Sequence, residues 1–375
     1  MITEVAPAVA RAAIESGVAK YPITDWDAYE IELEKRLAND NPLSRVLEST
    51  ARQDLKKIVF ADAEHVSVLK AARVAIEDRI AKPILLGNRE KVESMLKELD
   101  IELPGVRIID PKLPIDSEEE NTLKKYSQVY YDKRKRKGVS MFEAESTVTS
   151  RSYYGVMMVE TGDADAMIGG LTKKYPTTVR PALQIIGPKE GVKKVASVHI
   201  LNTKKGPLFL GDTSINHNLK PEDVASITEL IAEEVRAFNI KPKIALVTYS
   251  NFGSVQNGEG AVLMRKANEI LQEKHPDWIV DGEMQAHMAL NKQTLEEFYP
   301  FSKLAGHRAN TLVFPNLSSA NIAYNLLGET AEMDIIGPVL LGLKKPVHIL
   351  QLGSTVRQIV DMVGIAAVHA QRNQG

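Results

Sequence analysis

Residues 55–110 constrain this chain more than any other stretch, because three short apolar runs alternate there with two amphipathic ones. The apolar runs are KIVFA at 57–61, PILL at 83–86, closed by Gly87, and VRIID at 106–110. Between them, residues 65–80 set Val68, Leu69, Ala72 and Ile76 on one helical face, and residues 89–99 read as a second helix. Apolar strands alternating with amphipathic helices predict a parallel sheet covered on both faces. Ligands of such sheets sit beyond the carboxyl ends of the strands, where the strand order switches.

The alternation continues along the chain. Residues 117–131 and 141–160 are predicted helices, and DAMIGG at 165–170 is a strand ending in two glycines, followed by a helix over 179–186. A segment rich in Gly, Pro and charge at 187–194 marks a boundary. Beyond it, 197–202 and 207–211 read as an antiparallel pair around Lys204-Lys205-Gly206, and 221–238 as a long helix. Strands are predicted at 244–249, 278–282 and 311–315, with helices over 260–273 and 316–327. Residues 335–343 lead back to a closing strand at 346–350, a Gly-containing turn and a helix capped by Thr355, with Ile359, Met362, Val363 and Ala366 at helical spacing. At the other end, 5–17 reads as a helix stopped at Gly17, and 29–38 as a charged helix capped by Asp25 or Asp27. Residues 39–54, charged and proline-bearing, read as a linker.

A length of 375 residues suits about two domains. The net charge of -2 lacks the basic bias of a nucleic-acid footprint. With no cysteine there is no disulfide, thiolate metal site or Cys nucleophile. No run approaches the roughly 20 apolar residues of a membrane span. Glu4, Arg11 and Glu15 break the N-terminal apolar run, which makes a poor signal peptide and fits the cytoplasm. HExxH, Cys/His metal spacing, GxSxG and GxGxxG are all absent, so no metal is expected.

The loops after the strands at 165–170, 244–249 and 347–350 are each small, polar or Gly-bearing, and with several Arg and Lys residues they favour a ligand carrying phosphates. The loop at 171–178, with Arg180 in the first turn of its helix, reads as either an anion site or an ordinary turn. Residues 250–254 suggest a phosphate or ribose contact. The five cations Lys133 to Lys137, ended by Gly138, read as a solvated helix C-terminus, with a ligand role as the sharper alternative. His287, after a strand, is a structural hydrogen-bonding group or a catalyst. The closing strand and turn present a helix N-terminus, yet Gln351 and Leu352 supply no acid, base or nucleophile. That combination reads as a ligand pocket with an inert tip.

The segments YYDKRKRKGVS, DAMIGG followed by TTVRPALQIIG, DGEMQAHMALN and GHRANTLVFPNLSSANIAYNLL together resemble the phosphate acetyltransferase/butyryltransferase family, over residues 55–371. The resemblance implies two α/β domains with mostly parallel sheets and a cleft between them, in a layout like that of isocitrate and isopropylmalate dehydrogenases. The second domain, 191–337, would be inserted into the first, 41–190 plus 338–375. The family moves an acetyl group between coenzyme A and phosphate, without a metal. By resemblance Arg134 and Arg180 face the acyl phosphate, and Ser250, Gly253 and Ser254 touch coenzyme A. Thr178, Asn251, Arg308, Asn310, Gln351 and Ser354 complete the implied acetyl-coenzyme A and phosphate site.

The departures from the family pattern matter as much. Phe252 stands for a lysine, His287 for an aspartate, and Lys173 and Lys174 for a His-Thr or His-Ser pair. Gln351, Leu352 and Gln358 stand for the catalytic Ser, Arg and Asp. Glutamine is no base near neutral pH, and losing one typically costs about 10²–10⁴-fold. Leucine cannot hold developing negative charge, and that loss is roughly as large.

Residues 5–38 resemble the end of a malic-enzyme catalytic domain, and QLGSTVRQIV resembles the C-terminal domain of bacterial hybrid malic enzymes. There the transferase-like domain is inactive and binds acetyl-coenzyme A as an inhibitor of the malic-enzyme part. On this resemblance, 1–40 is the tail of an upstream catalytic domain, where NADP and a divalent metal would bind. The resemblance also implies a homodimer through this domain and a larger assembly of the whole enzyme. Two other readings stay open: a working phosphate acetyltransferase with His287 as a rearranged base, and a structural dimerisation domain.

Overall fold

The computed structural model describes residues 2–19, 23, 26, 29, 42–331 and 333–373. Beyond residue 29, the helix expected over 29–38 lies outside the described residues. In chain order the elements begin with α1 (Ile2–Glu15), α2 (Pro42–Ala51), β1 (Lys57–Phe60), α3 (Val66–Glu77), β2 (Lys82–Leu86), α4 (Arg89–Glu98) and β3 (Arg107–Ile109). Then come α5 (Ser117–Arg134), a 3-10 turn (Lys135–Lys137), α6 (Met141–Val148), α7 (Arg151–Thr161), β4 (Ala166–Gly169) and α8 (Tyr175–Ile185). The next group is β5 (Ala196–Thr203), β6 (Gly206–Gly211), α9 (Pro221–Ala237), β7 (Lys243–Val247), α10 (Glu259–Lys274) and β8 (Ile279–Met284). Last are α11 (Ala286–Leu290), α12 (Lys292–Phe298), β9 (Thr311–Val313), α13 (Leu317–Ala331), β10 (Ile335–Leu341), β11 (Val347–Ile349) and α14 (Val356–Arg372).

Two sheets result. The five-stranded one, β11-β4-β1-β2-β3, is parallel throughout. The six-stranded one has the order β10-β5-β6-β9-β7-β8. Its β10–β5 and β5–β6 pairs are antiparallel and the rest parallel. Every strand of the second sheet lies in the chain between β4 and β11 of the first.

Alternation along the strands explains the layering. Ile58 and Phe60 of β1 point into a core shared with α2, α3 and α14, while Val59 points into another with Tyr126, Tyr154 and Met157. The first core does not stop at the five-stranded sheet. Val198, Ile200, Phe209 and Ile244 of the second sheet belong to it, and Ile359, Met362 and Ile365 bring α14 into it. A third core, with Leu201, Leu210, Leu312 and Tyr324, covers the other face of the second sheet.

Three expectations need correction. Residues 42–51 of the expected linker are helix α2, because Leu43, Leu47 and Ala51 at a spacing of four form a buried stripe. The helix expected over 141–160 breaks into α6 and α7. Thr149 turns its hydroxyl onto Ser146 O at 2.7 Å, a local bond that competes with helix continuation. The helix expected from 179 starts at Tyr175, since Pro176 fits a first turn that needs no N–H from it. Arg180 therefore lies in the second turn.

Candidate functional site

A cavity of about 510 Å³ lies between the sheets. Tyr175, Leu350, Gln351 and Leu352, which follow β4 and β11, line it from one side, and Thr213, His217, Asn321 and Tyr324, which follow β6 and β9, from the other. It therefore occupies the carboxyl-end position expected for a ligand of such sheets. Among the described residues, no Asp, Glu or Arg lines it. Leu352, at 68% exposure, reaches its mouth.

The tip is an ordered network. Gln351 Nε2 donates to Tyr324 Oη at 3.0 Å and lies 3.1 Å from His199 Nε2. An amide N–H can only donate, so His199 Nε2 accepts and its proton sits on Nδ1. Nδ1 lies 2.7 Å from Thr213 Oγ1, Thr213 Oγ1 lies 3.2 Å from Ser197 Oγ, and Ser197 Oγ donates to Asp212 Oδ1 at 2.5 Å. The bonds thus run in one direction from the cavity to a buried carboxylate. Burial lowers the His199 pKa to about 3, and its ring stacks on Tyr324 at 3.8 Å. It is neutral near pH 7, with both nitrogens engaged.

The loops that looked made for phosphate hold internal carboxylates instead. Asp62, after β1, accepts from Gly170 N at 2.6 Å, Leu171 N at 3.1 Å and Thr172 Oγ1 at 2.8 Å. Gly170 has φ +106, and a Cβ there would lie 2.8 Å from Ile349 Cγ2, so the turn is shaped for glycine. Glu283 accepts from Ser250 Oγ, Gly253 N and Arg265 in the same manner. Hydrogen bonds from these partners hold the Glu283 carboxyl below its usual range against the upward push of burial.

The expected site residues fall into separate groups. Gln351 and Leu352 are in the cavity wall. Ser354 Oγ caps the turn on Gln351 O, and Gln358 forms a capping box with Thr355 while its Nε2 donates to Ile335 O at 3.2 Å. Arg134 and Arg180 both act electrostatically on Tyr153, neither is among the residues lining the cavity, and the Arg134 Nε is buried without a partner. Thr178 is buried in α8, its hydroxyl unpartnered. Ser250, Asn251, Gly253 and Ser254 form a knot with Glu283 and Gln285. Arg308 and Asn310 precede β9, at the opposite end of that strand from the cavity. Asn310 is spent on Lys243 N and Lys241 O, and burial lowers the Arg308 pKa. Among the remaining cations of the 133–137 run, Lys133 pairs with Glu160 at 2.6 Å and Lys135 with Asp132 at 2.7 Å, as a helix end allows. His287 is exposed on α11 and outside the cavity lining. Sequence reasoning missed Tyr175, His199, Thr213 and Tyr324. A polar residue inside an apolar strand was the one signal that His199 gave.

The sequence profile described as phosphate acetyl/butaryl transferase matches residues 43–367, and the chain belongs to that family. A phosphotransacetylase from Streptococcus pyogenes superposes with a TM-score of 0.79 at 32% identity, covering 88% of this chain and 98% of that one. The NADP-dependent malic enzyme of Haemophilus influenzae is 38% identical over 373 residues, covering 99% of this chain and 49% of that protein. The phosphate acetyltransferase of Helicobacter pylori is 36% identical over 328 residues, 87% of this chain and 62% of that protein. The chain thus spans about half the length of the malic enzyme it matches. Among the described residues no helix is long and apolar enough to cross a membrane.

Proposed function

We propose that this chain binds acetyl-coenzyme A between its two sheets without turning it over, as the regulatory part of a longer cytoplasmic malic enzyme. The observation that carries this reading is the cavity itself: among the described residues its lining has no carboxylate or arginine, and its tip is an amide whose donors are already engaged. Such a lining lacks the carboxylate that would take a thiol proton and the arginine that would hold an oxyanion in the family pattern. The malic-enzyme relative that covers 99% of the chain supports the assignment to a longer enzyme. NADP and a divalent metal belong to the region upstream, and the domain pairs with a second copy of itself within a larger assembly. Acetyl-coenzyme A inhibits by favouring one arrangement of the two sheets over another, a difference that the linked active site reads.

Calorimetry with acetyl-coenzyme A, coenzyme A and acetyl phosphate, beside an acetyl-phosphate-forming assay, tests this. Binding of acetyl-coenzyme A without turnover is expected. Transferase rates of an ordinary member of the family, or no binding of acetyl-coenzyme A, would overturn it.

A further inference from the structure

Among the described residues, Lys173, which follows β4, is the one lysine lining the cavity. Its Nζ donates to Ser152 Oγ at 3.0 Å and forms no ion pair among those residues. An ammonium carries three N–H groups, so two of them are left without a protein partner there. Other lysines are held by carboxylates, Lys91 by Glu64 at 3.0 Å and Lys133 by Glu160 at 2.6 Å. The carboxylate whose charge reaches Lys173 is Asp62, and it spends its oxygens on Gly170 N, Leu171 N and Thr172 Oγ1. Burial lowers the Lys173 pKa, Arg151 and Lys112 add to the shift, and Asp62 opposes it.

A half-buried lysine with a neutral partner keeps its charge most of the time, yet it yields the neutral amine more readily than an exposed one. That amine is a nucleophile and needs no carboxylate in the wall to act as one. A thioester carbonyl is an electrophile that it can attack. We propose that Lys173 is a modification site, whose Nζ takes the acetyl group of acetyl-coenzyme A held in the cavity. The ammonium first releases a proton to water. The nitrogen then attacks the carbonyl carbon, and the C–N bond forms as the C–S bond breaks. The electron pair leaves on sulfur, and the proton shed by nitrogen ends on it, giving free coenzyme A. The product is an amide with no nucleophilic nitrogen left, so each chain accepts one acetyl group there and the event is not turnover. This rests on the acetyl-coenzyme A reading above and adds a covalent fate for the bound ligand.

The full chain is incubated with acetyl-coenzyme A, cut with a protease that ignores lysine, and followed by mass spectrometry, with calorimetry in parallel. Lys174, exposed and outside the lining, is the control in the same peptide. Acetylation of Lys173 is expected to run at least about tenfold faster than that of Lys174, because the cavity holds amine and thioester together. Its rate is expected to saturate at the acetyl-coenzyme A concentrations that saturate binding, and to fall when S-ethyl-coenzyme A, a thioether with no acyl group to give, competes for the cavity. Lys173→Arg keeps a donor for Ser152 and is expected to abolish the saturable labelling while calorimetry still shows acetyl-coenzyme A binding. Binding of acetyl-coenzyme A with Lys173 labelled no faster than Lys174, or with a rate that never saturates, overturns the modification site and leaves the regulatory reading standing. Saturable labelling that survives Lys173→Arg does the same. No binding of acetyl-coenzyme A overturns that reading, and the modification site with it.

Discussion

Asp361 on α14 faces Ser44 on α2, whose Oγ donates to Asp361 Oδ1 at 2.8 Å. Burial pushes the Asp361 pKa up to about 6 from an ordinary 3.8, the Ser44 hydrogen bond opposing it. An acid with a raised folded pKa holds its proton more tightly when folded. Its cost to stability is absent below about pH 4, grows as pH rises, and is complete above about pH 6, on the order of 3 kcal/mol. Asp361→Asn keeps an acceptor for Ser44 and removes the charge. The urea midpoint of the variant is expected to rise at pH 8 and to match the parent at pH 4, and parallel pH profiles would refute the assignment. His199 acts in the opposite direction. With its folded pKa lowered to about 3, it stays neutral while the unfolded chain protonates, so its contribution weakens stability as pH falls from about 6.5 toward 3. Neither group was legible in the sequence, because a pKa is set by neighbours hundreds of positions away, such as Ser44 for Asp361.

The turns and caps are where local sequence and tertiary structure part company. Strand, Gly-Gly and hydroxyls at 165–178 read equally well as a phosphate cradle or a plain turn. The arbiter was Asp62, about a hundred residues earlier, which fills the turn with its own carboxylate. Asp62→Ala would leave the Gly170 and Leu171 N–H groups and the Thr172 hydroxyl without that partner. A loss of about 2–4 kcal/mol in denaturant unfolding is expected, with amide exchange accelerated at 170–172. Unchanged exchange there would show that water replaces the carboxylate freely. The cap of α14 was legible, by contrast, since it needs only residues three apart: Thr355 and Gln358 satisfy each other's backbone N–H. Thr355→Ala is expected to cost about 1 kcal/mol by thermal melting. Periodic elements were legible for the same reason, since apolar spacing is local. The break at Thr149 was not, because hydroxyls in a helix can point to solvent or back onto the chain.

At the scale of the molecule, the sequence marks two units but not what joins them. The chain passes from the second sheet to the first between β10 and β11, and α14 then packs across both. One core cluster accordingly holds Ile58 and Phe60 of the five-stranded sheet together with Val198, Ile200 and Ile244 of the six-stranded one. Sheets that share a core cannot lose it separately, so unfolding is expected to be one transition in spite of two sheets. Met362, 1% exposed on α14, lies in that shared core. Met362→Ala is expected to cost about 2–5 kcal/mol. Trp278 packs on the part of the core beneath the six-stranded sheet, and with Trp26→Phe it is the one tryptophan of the chain. Its fluorescence reports on that sheet, and hydrogen exchange of the β1 and β4 amides reports on the other. Met362→Ala should shift both signals to the same lower denaturant concentration. A shift in the β1 and β4 signal alone would mean that the second sheet stands by itself, and that a ligand in the cavity closes a hinge between independent bodies rather than tightening a single one.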